Sequence, residues 1–125
     1  MRSLTLLGDI YSVCRLAPDA PIPDWVRSTT FFSITRNDDE LSIVCPEAAV
    51  PLDTRAEHGW RCFKVAGPIP FDEVGVVASL TTPLAAAAVG VFVISTFDTD
   101  YILIAARNAD AATAAWRQAG FTVTT

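Results

Sequence analysis

The sequence predicts an α+β fold of two tandem βαββαβ units, the first with an eroded helix, and three observations predict it. Strand and helix signals run strand, helix, strand, strand, helix, strand across the second half, and the same order, weakened, runs across the first. FFSITRNDDELSIVC (Phe31–Cys45) lies over VFVISTFDTDYILIA (Val91–Ala105) without a gap, sharing Phe32 with Phe92, Ile34 with Ile94 and Asp38 with Asp98. Cys14-Arg15-Leu16 before Pro21-Ile22-Pro23-Asp24 echoes Cys62-Phe63-Lys64-Val65 before Pro68-Ile69-Pro70-Phe71-Asp72, and Gly59-Trp60 echoes Gly120-Phe121. Each copy is the split βαβ, ferredoxin-like arrangement, an antiparallel sheet with helices on one face. The boundary falls between residues 1–60 and 61–125, two repeats in one compact unit.

In order, Ser3–Leu7 and Tyr11–Leu16 read as strands separated by Gly8-Asp9, with Tyr11, Val13 and Leu16 buried. The proline-rich stretch that follows permits at most one helical turn, at Asp24–Arg27. Phe31–Thr35 and Leu41–Cys45 flank the polar connection Arg36–Glu40, which suits a hairpin. Pro46 starts a short turn through about Val50, Pro51–His58 reads as loop, and Trp60–Ala66 as strand.

The second copy is stronger. Asp72 is placed to cap a helix from Glu73 to about Ala88, kinked at Pro83, with Glu73 at its positive end. Val91–Ser95 and Tyr101–Ala105 form a hairpin. Asn108 is placed to cap a second helix, with Asp110 in its first turn, Arg117 in its last, Gly120 beyond it and Trp116 as its core contact. Phe121–Thr124 is the closing strand. The second hairpin is apolar on both faces, so helices cover one face and another copy or a second chain must cover the other.

Composition excludes several functions. A net charge of -5 with scattered basic residues argues against nucleic acid and against an anionic membrane surface. From Val74 to Phe97 no residue is charged, long enough to weigh as a membrane span. Ser79, Thr81, Thr82, Pro83, Ser95 and Thr96 inside it, with acidic flanks, favour a buried helix followed by a buried strand. Cys14, Cys45 and Cys62 sit singly in apolar runs and read as buried reduced thiols, consistent with a cytoplasmic protein. The N-terminal residues lack a secretory pattern. No metal or cofactor is expected: His58 stands alone in AEHGW, no Cys-x-x-Cys pair is present, and Gly75 and Gly90 are too far apart for a phosphate loop. An enzyme is not expected.

Polar residues converge on the apolar second copy at two places, the helix start around Glu73 and the turn Thr96–Asp100. A free amino acid presents a carboxylate suited to open helix N–H groups and an ammonium suited to a desolvated carboxylate. Gly75 permits close backbone approach, and Asp98 and Asp100 put negative charge on the facing turn. The same residues also fit a plain structural account, in which Glu73 favours the helix dipole, Gly75 helix packing and the two aspartates the turn.

Phe71–Ile104, with Phe-Asp-Glu-x-Gly at a helix start and Ile-Ser-Thr-Phe-x-x-Asp at a hairpin, resembles the ACT-domain family, in particular the ACT-like repeats of CASTOR-type arginine sensors and short bacterial two-repeat relatives. ELSIVCPE (Glu40–Glu47) carries the likeness more loosely. Pro70 stands where the sensor pattern has a glycine. The resemblance implies a non-catalytic amino-acid-binding regulatory protein whose ligand, arginine or another cationic amino acid, lies where two ACT units meet. It implies Glu73 as acceptor for an ammonium or guanidinium group, with Val74 and Gly75 beside it. Thr96 and Phe97 are implied as main-chain and hydroxyl contacts, and Asp100 as a second anionic partner. A homodimer and a separate downstream protein partner follow. The alternative is a dimeric structural or interaction protein with a vestigial pocket.

Overall fold

The computed structural model describes residues 2–27 and 30–125. Its elements are β1 (Ser3–Leu16), β2 (Ser33–Arg36), β3 (Leu41–Pro46), β4 (Ala56–Val65), α1 (Val76–Ala86), β5 (Phe92–Ser95), β6 (Asp100–Ala105), α2 (Ala109–Gln118) and β7 (Thr122–Thr124). The chain divides into an N-terminal unit, Asp9–Trp60, and a C-terminal unit, Met1–Gly8 with Arg61–Thr125.

The N-terminal unit orders its strands β2-β3-β1-β4. β1 pairs antiparallel with β3, Ser12 opposite Cys45 and Leu16 opposite Leu41, and β2 closes a hairpin on β3 from Arg36 opposite Leu41. Asn37 builds the turn: its Oδ1 accepts the amides of Asp39 and Glu40 at 2.8 and 2.9 Å. Among the described residues of this unit, helices are reduced to a turn at Asp24-Trp25 and a single 3₁₀ turn at Glu47–Ala49. Cys14, Val26, Leu41, Ile43 and Cys45 form the core.

The C-terminal unit is the full βαββαβ, β4-α1-β5-β6-α2-β7, with strand order β7-β1-β4-β6-β5. The start of β1 is inserted between β7 and β4, parallel to β7 with Leu4 opposite Val123. α1 buries Val76, Leu80 and Leu84, one per turn on a single face, and α2 buries Ala112, Thr113 and Trp116. Trp116 is central: its ring meets Phe63 edge-on at 4.9 Å and its Nε1 donates to the Leu80 carbonyl at 2.8 Å. Ile102 and Ile104 on β6 complete this core.

Several expected boundaries move. β1 runs unbroken through Gly8-Asp9, and its buried positions are Leu4, Tyr11, Ser12 and Cys14, with Val13 and Leu16 only partly covered. β4 begins at Ala56, inside the stretch expected to be loop, because one long strand serves as the last of the N-terminal unit and the first of the other. α1 begins at Val76: Gly75 takes φ +81°, a left-handed conformation that stops helical geometry from extending back to Asp72 or Glu73. Neither Asp72 nor Asn108 caps a helix through its side chain; α2 follows a 3₁₀ turn at Ala106–Asn108.

The internal repeat holds with its register shifted by one residue. β2 and β3 correspond to β5 and β6 so that Leu41 matches Asp100 and Ile43 matches Ile102, with the same order of buried and half-buried positions along β3 and β6. The gapless match had placed Leu41 on Tyr101. A one-residue slip would exchange the two faces of a strand, so burial decides the register over letter identity.

Candidate functional site

Residues before α1 meet the β5–β6 turn within the C-terminal unit. Ile69 N donates to the Asp98 carbonyl at 2.7 Å, and Glu73 N donates to the Pro70 carbonyl at 3.1 Å, folding residues 70–73 back toward the helix start. The turn is closed by Thr96 N donating to the Thr99 carbonyl at 2.8 Å, with Thr96 Oγ1 accepting the Thr99 amide at 3.3 Å. Thr99 Oγ1 donates to the Val65 carbonyl at 2.6 Å, pinning the turn to β4.

Between them lies a cavity of about 350 Å³, within the range of small-molecule clefts. Glu73, Gly75, Thr96, Phe97, Asp98 and Asp100 all line it; of the seven residues expected at a site only Val74 does not, being 94% exposed. The first turn of α1 contributes Val76, Val77 and Ala78 to the wall. Ser79 N makes the first α-type bond, to the Gly75 carbonyl at 2.9 Å, and no side chain caps the helix, so the amides of its first turn have no intrahelical acceptor. Positive dipole thus faces a turn carrying two carboxylates.

The acids differ in their surroundings. Asp100 is 7% exposed and accepts the Ser95 hydroxyl at 2.5 Å, whereas Asp98 is open to solvent. Glu73 accepts a hydrogen bond from Arg2 Nη2 and forms an ion pair with it. Sequence reasoning, which expected Glu73 either to accept a ligand's cationic group or to favour the helix dipole, missed this partner 71 positions away. It also missed the aromatic pair at the mouth, where the rings of Phe71 and Phe97 meet edge-to-face at 4.8 Å and 83°, both largely exposed.

A second polar group lies in the N-terminal unit. His58 is a β4 residue rather than part of a loop, and its Nδ1 lies 2.7 Å from Ser12 Oγ and 3.7 Å from Glu47 Oε1, while Glu47 Oε1 accepts the Gly59 amide at 2.8 Å. Hydroxyl and acid face the same ring nitrogen and Ser12 is fully buried, so this is not a nucleophile relay, which needs them on opposite nitrogens with the hydroxyl reachable. Among the described residues no group of three or more His, Cys, Asp or Glu could hold a metal ion, and no helix is long and apolar enough to cross a membrane.

Comparison with known proteins follows the division of the chain. An ACT-domain family model matches residues 55–118, and a model of an N-terminal domain matches residues 9–53. Subunit 1 of the cytosolic arginine sensor for mTORC1 is similar: the Rattus norvegicus protein is 46% identical over 110 residues, covering 80% of this chain and 33% of its own. The Homo sapiens protein is 34% identical over 96 residues, covering 70% and 28%. The chain therefore spans a third or less of the length of the curated relatives it matches. Among solved structures, an Agobacterium tumefaciens protein is 41% identical, covers 98% of this chain and 91% of its own, and superposes with a TM-score of 0.92. The ligand-free regulatory subunit of aspartate kinase from Thermus thermophilus, 13% identical over 94% of this chain and 97% of its own, shares the fold with a TM-score of 0.65.

Proposed function

This chain belongs to the ACT-domain family, and from that premise we propose that it is a non-catalytic regulatory protein that binds a free amino acid between the start of α1 and the β5–β6 turn. The observation that carries the proposal is the convergence of Glu73, Gly75, Thr96, Phe97, Asp98 and Asp100 on one cavity with an uncapped helix start in its wall. The ligand carboxylate takes the open amides of Val76–Ala78, and its ammonium takes carboxylate or carbonyl oxygens of the turn.

The ligand is arginine or another cationic amino acid. Three acids and no Lys or Arg occur among the described lining residues, and the relatives are named as arginine sensors. Phe71, Val74 and Phe97 leave an apolar rim exposed, and a second copy of the chain covers it, so that the ligand sits at an interface between ACT units. The protein works in the cytoplasm and passes its state to a separate protein partner, with ligand shifting the balance between two packings.

A second reading has its own observation. Glu73 is already paired with Arg2, which suits a dimeric structural or interaction protein whose pocket is vestigial. A thermal-shift panel of the twenty amino acids at millimolar concentration, followed by calorimetry, separates the two. A ligand at about 100 times its dissociation constant adds about 2.7 kcal/mol of stability. A selective shift that disappears in Glu73→Ala and Asp100→Asn, with the dimer intact, is expected; no shift with any amino acid would sink the ligand reading.

A further inference from the structure

We infer that Arg2 is an internal competitor at this pocket: its guanidinium holds the Glu73 carboxylate that an incoming cationic group must take. The inference rests on the pocket reading above and adds what occupies Glu73 before ligand arrives. Arg2 reaches Glu73 from a fixed backbone, because its carbonyl accepts the Thr122 amide at 3.2 Å and the next carbonyl, Ser3, accepts the Ala66 amide at 2.8 Å. A guanidinium delivered by a paired strand is present at high effective concentration, so Glu73 is not left bare.

The three acids therefore offer different things to a ligand. Asp100 is buried against the Ser95 hydroxyl, Asp98 faces solvent, and among the described residues only Glu73 of the three is paired with a cation of the chain itself. An amino acid with a neutral side chain leaves the Arg2–Glu73 pair in place. One with a guanidinium or ammonium group gains Glu73 only by releasing Arg2 to water. Arg2 and Glu73 side chains are 24% and 40% exposed. Pairs this exposed are weak, so release costs a factor of about five in affinity. That sets the concentration at which a cationic ligand fills the pocket without closing the pocket to it.

The test uses ethylguanidinium, which carries the cation without the amino-acid head group. It is titrated into wild type, Arg2→Gln and Arg2→Gln/Glu73→Gln, following backbone amide resonances around the pocket and the Arg2 Nε resonance. The expected result is binding about fivefold tighter to Arg2→Gln than to wild type, and loss of that gain in the double variant. In wild type the Arg2 Nε signal should move toward the position of a solvated arginine as the probe saturates. Equal affinities for wild type and Arg2→Gln, no binding by Arg2→Gln, or a gain that survives Glu73→Gln would each overturn the inference. The ligand reading fails separately, if the probe behaves as expected while none of the twenty amino acids binds either wild type or Arg2→Gln.

Discussion

The Ile69 amide and the Asp98 carbonyl, joined at 2.7 Å, couple the segment that precedes α1 to the turn between β5 and β6. Gly67 makes the approach possible. A Cβ placed there would lie 2.9 Å from the Asp98 carbonyl oxygen and 3.1 Å from Thr99 Cβ, with backbone on the far side that cannot swing away. Gly67→Ala should therefore force the two segments apart. A loss of about 1–3 kcal/mol on urea denaturation is expected, together with weaker amino-acid binding by calorimetry. Unchanged stability would mean that the segment stands off the turn.

Gly75 poses a different constraint. Nothing lies within 4 Å of a Cβ built on it, yet its φ of +81° is left-handed. Gly75→Ala should cost about 1–2 kcal/mol from backbone conformation alone, with no steric contribution. A variant as stable as wild type would show that the helix start tolerates another φ. If α1 then extended backward toward Asp72, the amides of Val76–Ala78 would be consumed by helix and ligand binding would fall with them.

Trp116 is the test of the C-terminal core. It is fully buried, packs edge-on against Phe63 and spends its N–H on the Leu80 carbonyl of α1. Trp116→Ala should cost about 3–5 kcal/mol, and Trp116→Phe less, because the ring stays while the link to α1 is lost. Urea midpoints that barely differ from wild type would mean that α2 is not held through this residue.

The fold was legible in the sequence where pattern is local. The two hairpins, the helix with Arg117 in its last turn and the apolar positions of β6 are read from short windows, and the structure keeps them. The start of β4 was not legible, because Ala56–His58 becomes strand only by lying beside β1, as the Arg15 amide donating to the Arg55 carbonyl at 3.0 Å marks. The repeat was read one residue out of register, since shared letters such as Phe32 and Phe92 cannot report which face of a strand is covered. At the candidate site, six expected residues line one cavity because the βαββαβ order itself brings the helix start to the hairpin turn. Arg2 and Ser12 were invisible as partners of Glu73 and His58, as both contacts cross long sequence separations.

The thiols predict how stability responds to alkali. Burial pushes Cys45 and Cys62 up to about 12, with Cys45 raised further by the neighbouring Cys14 charge and hydrogen bond; Cys14 is raised too, chiefly by burial. An unfolded thiol titrates near 9 or slightly below. The folded state then binds more protons than the unfolded state above that point, so the stabilising contribution is complete below about pH 9 and is lost as pH rises toward 12. Each thiol contributes a downward slope of at most about 1.4 kcal/mol per pH unit in that window. Urea unfolding of wild type and Cys62→Ala at pH 8 and pH 10.5 isolates one thiol from the tyrosines and lysines that titrate nearby. The variant should begin less stable and lose less over the interval. Parallel losses in the two proteins would show that Cys62 ionises as readily folded as unfolded, which a side chain with no exposed surface could do only if the core opened first.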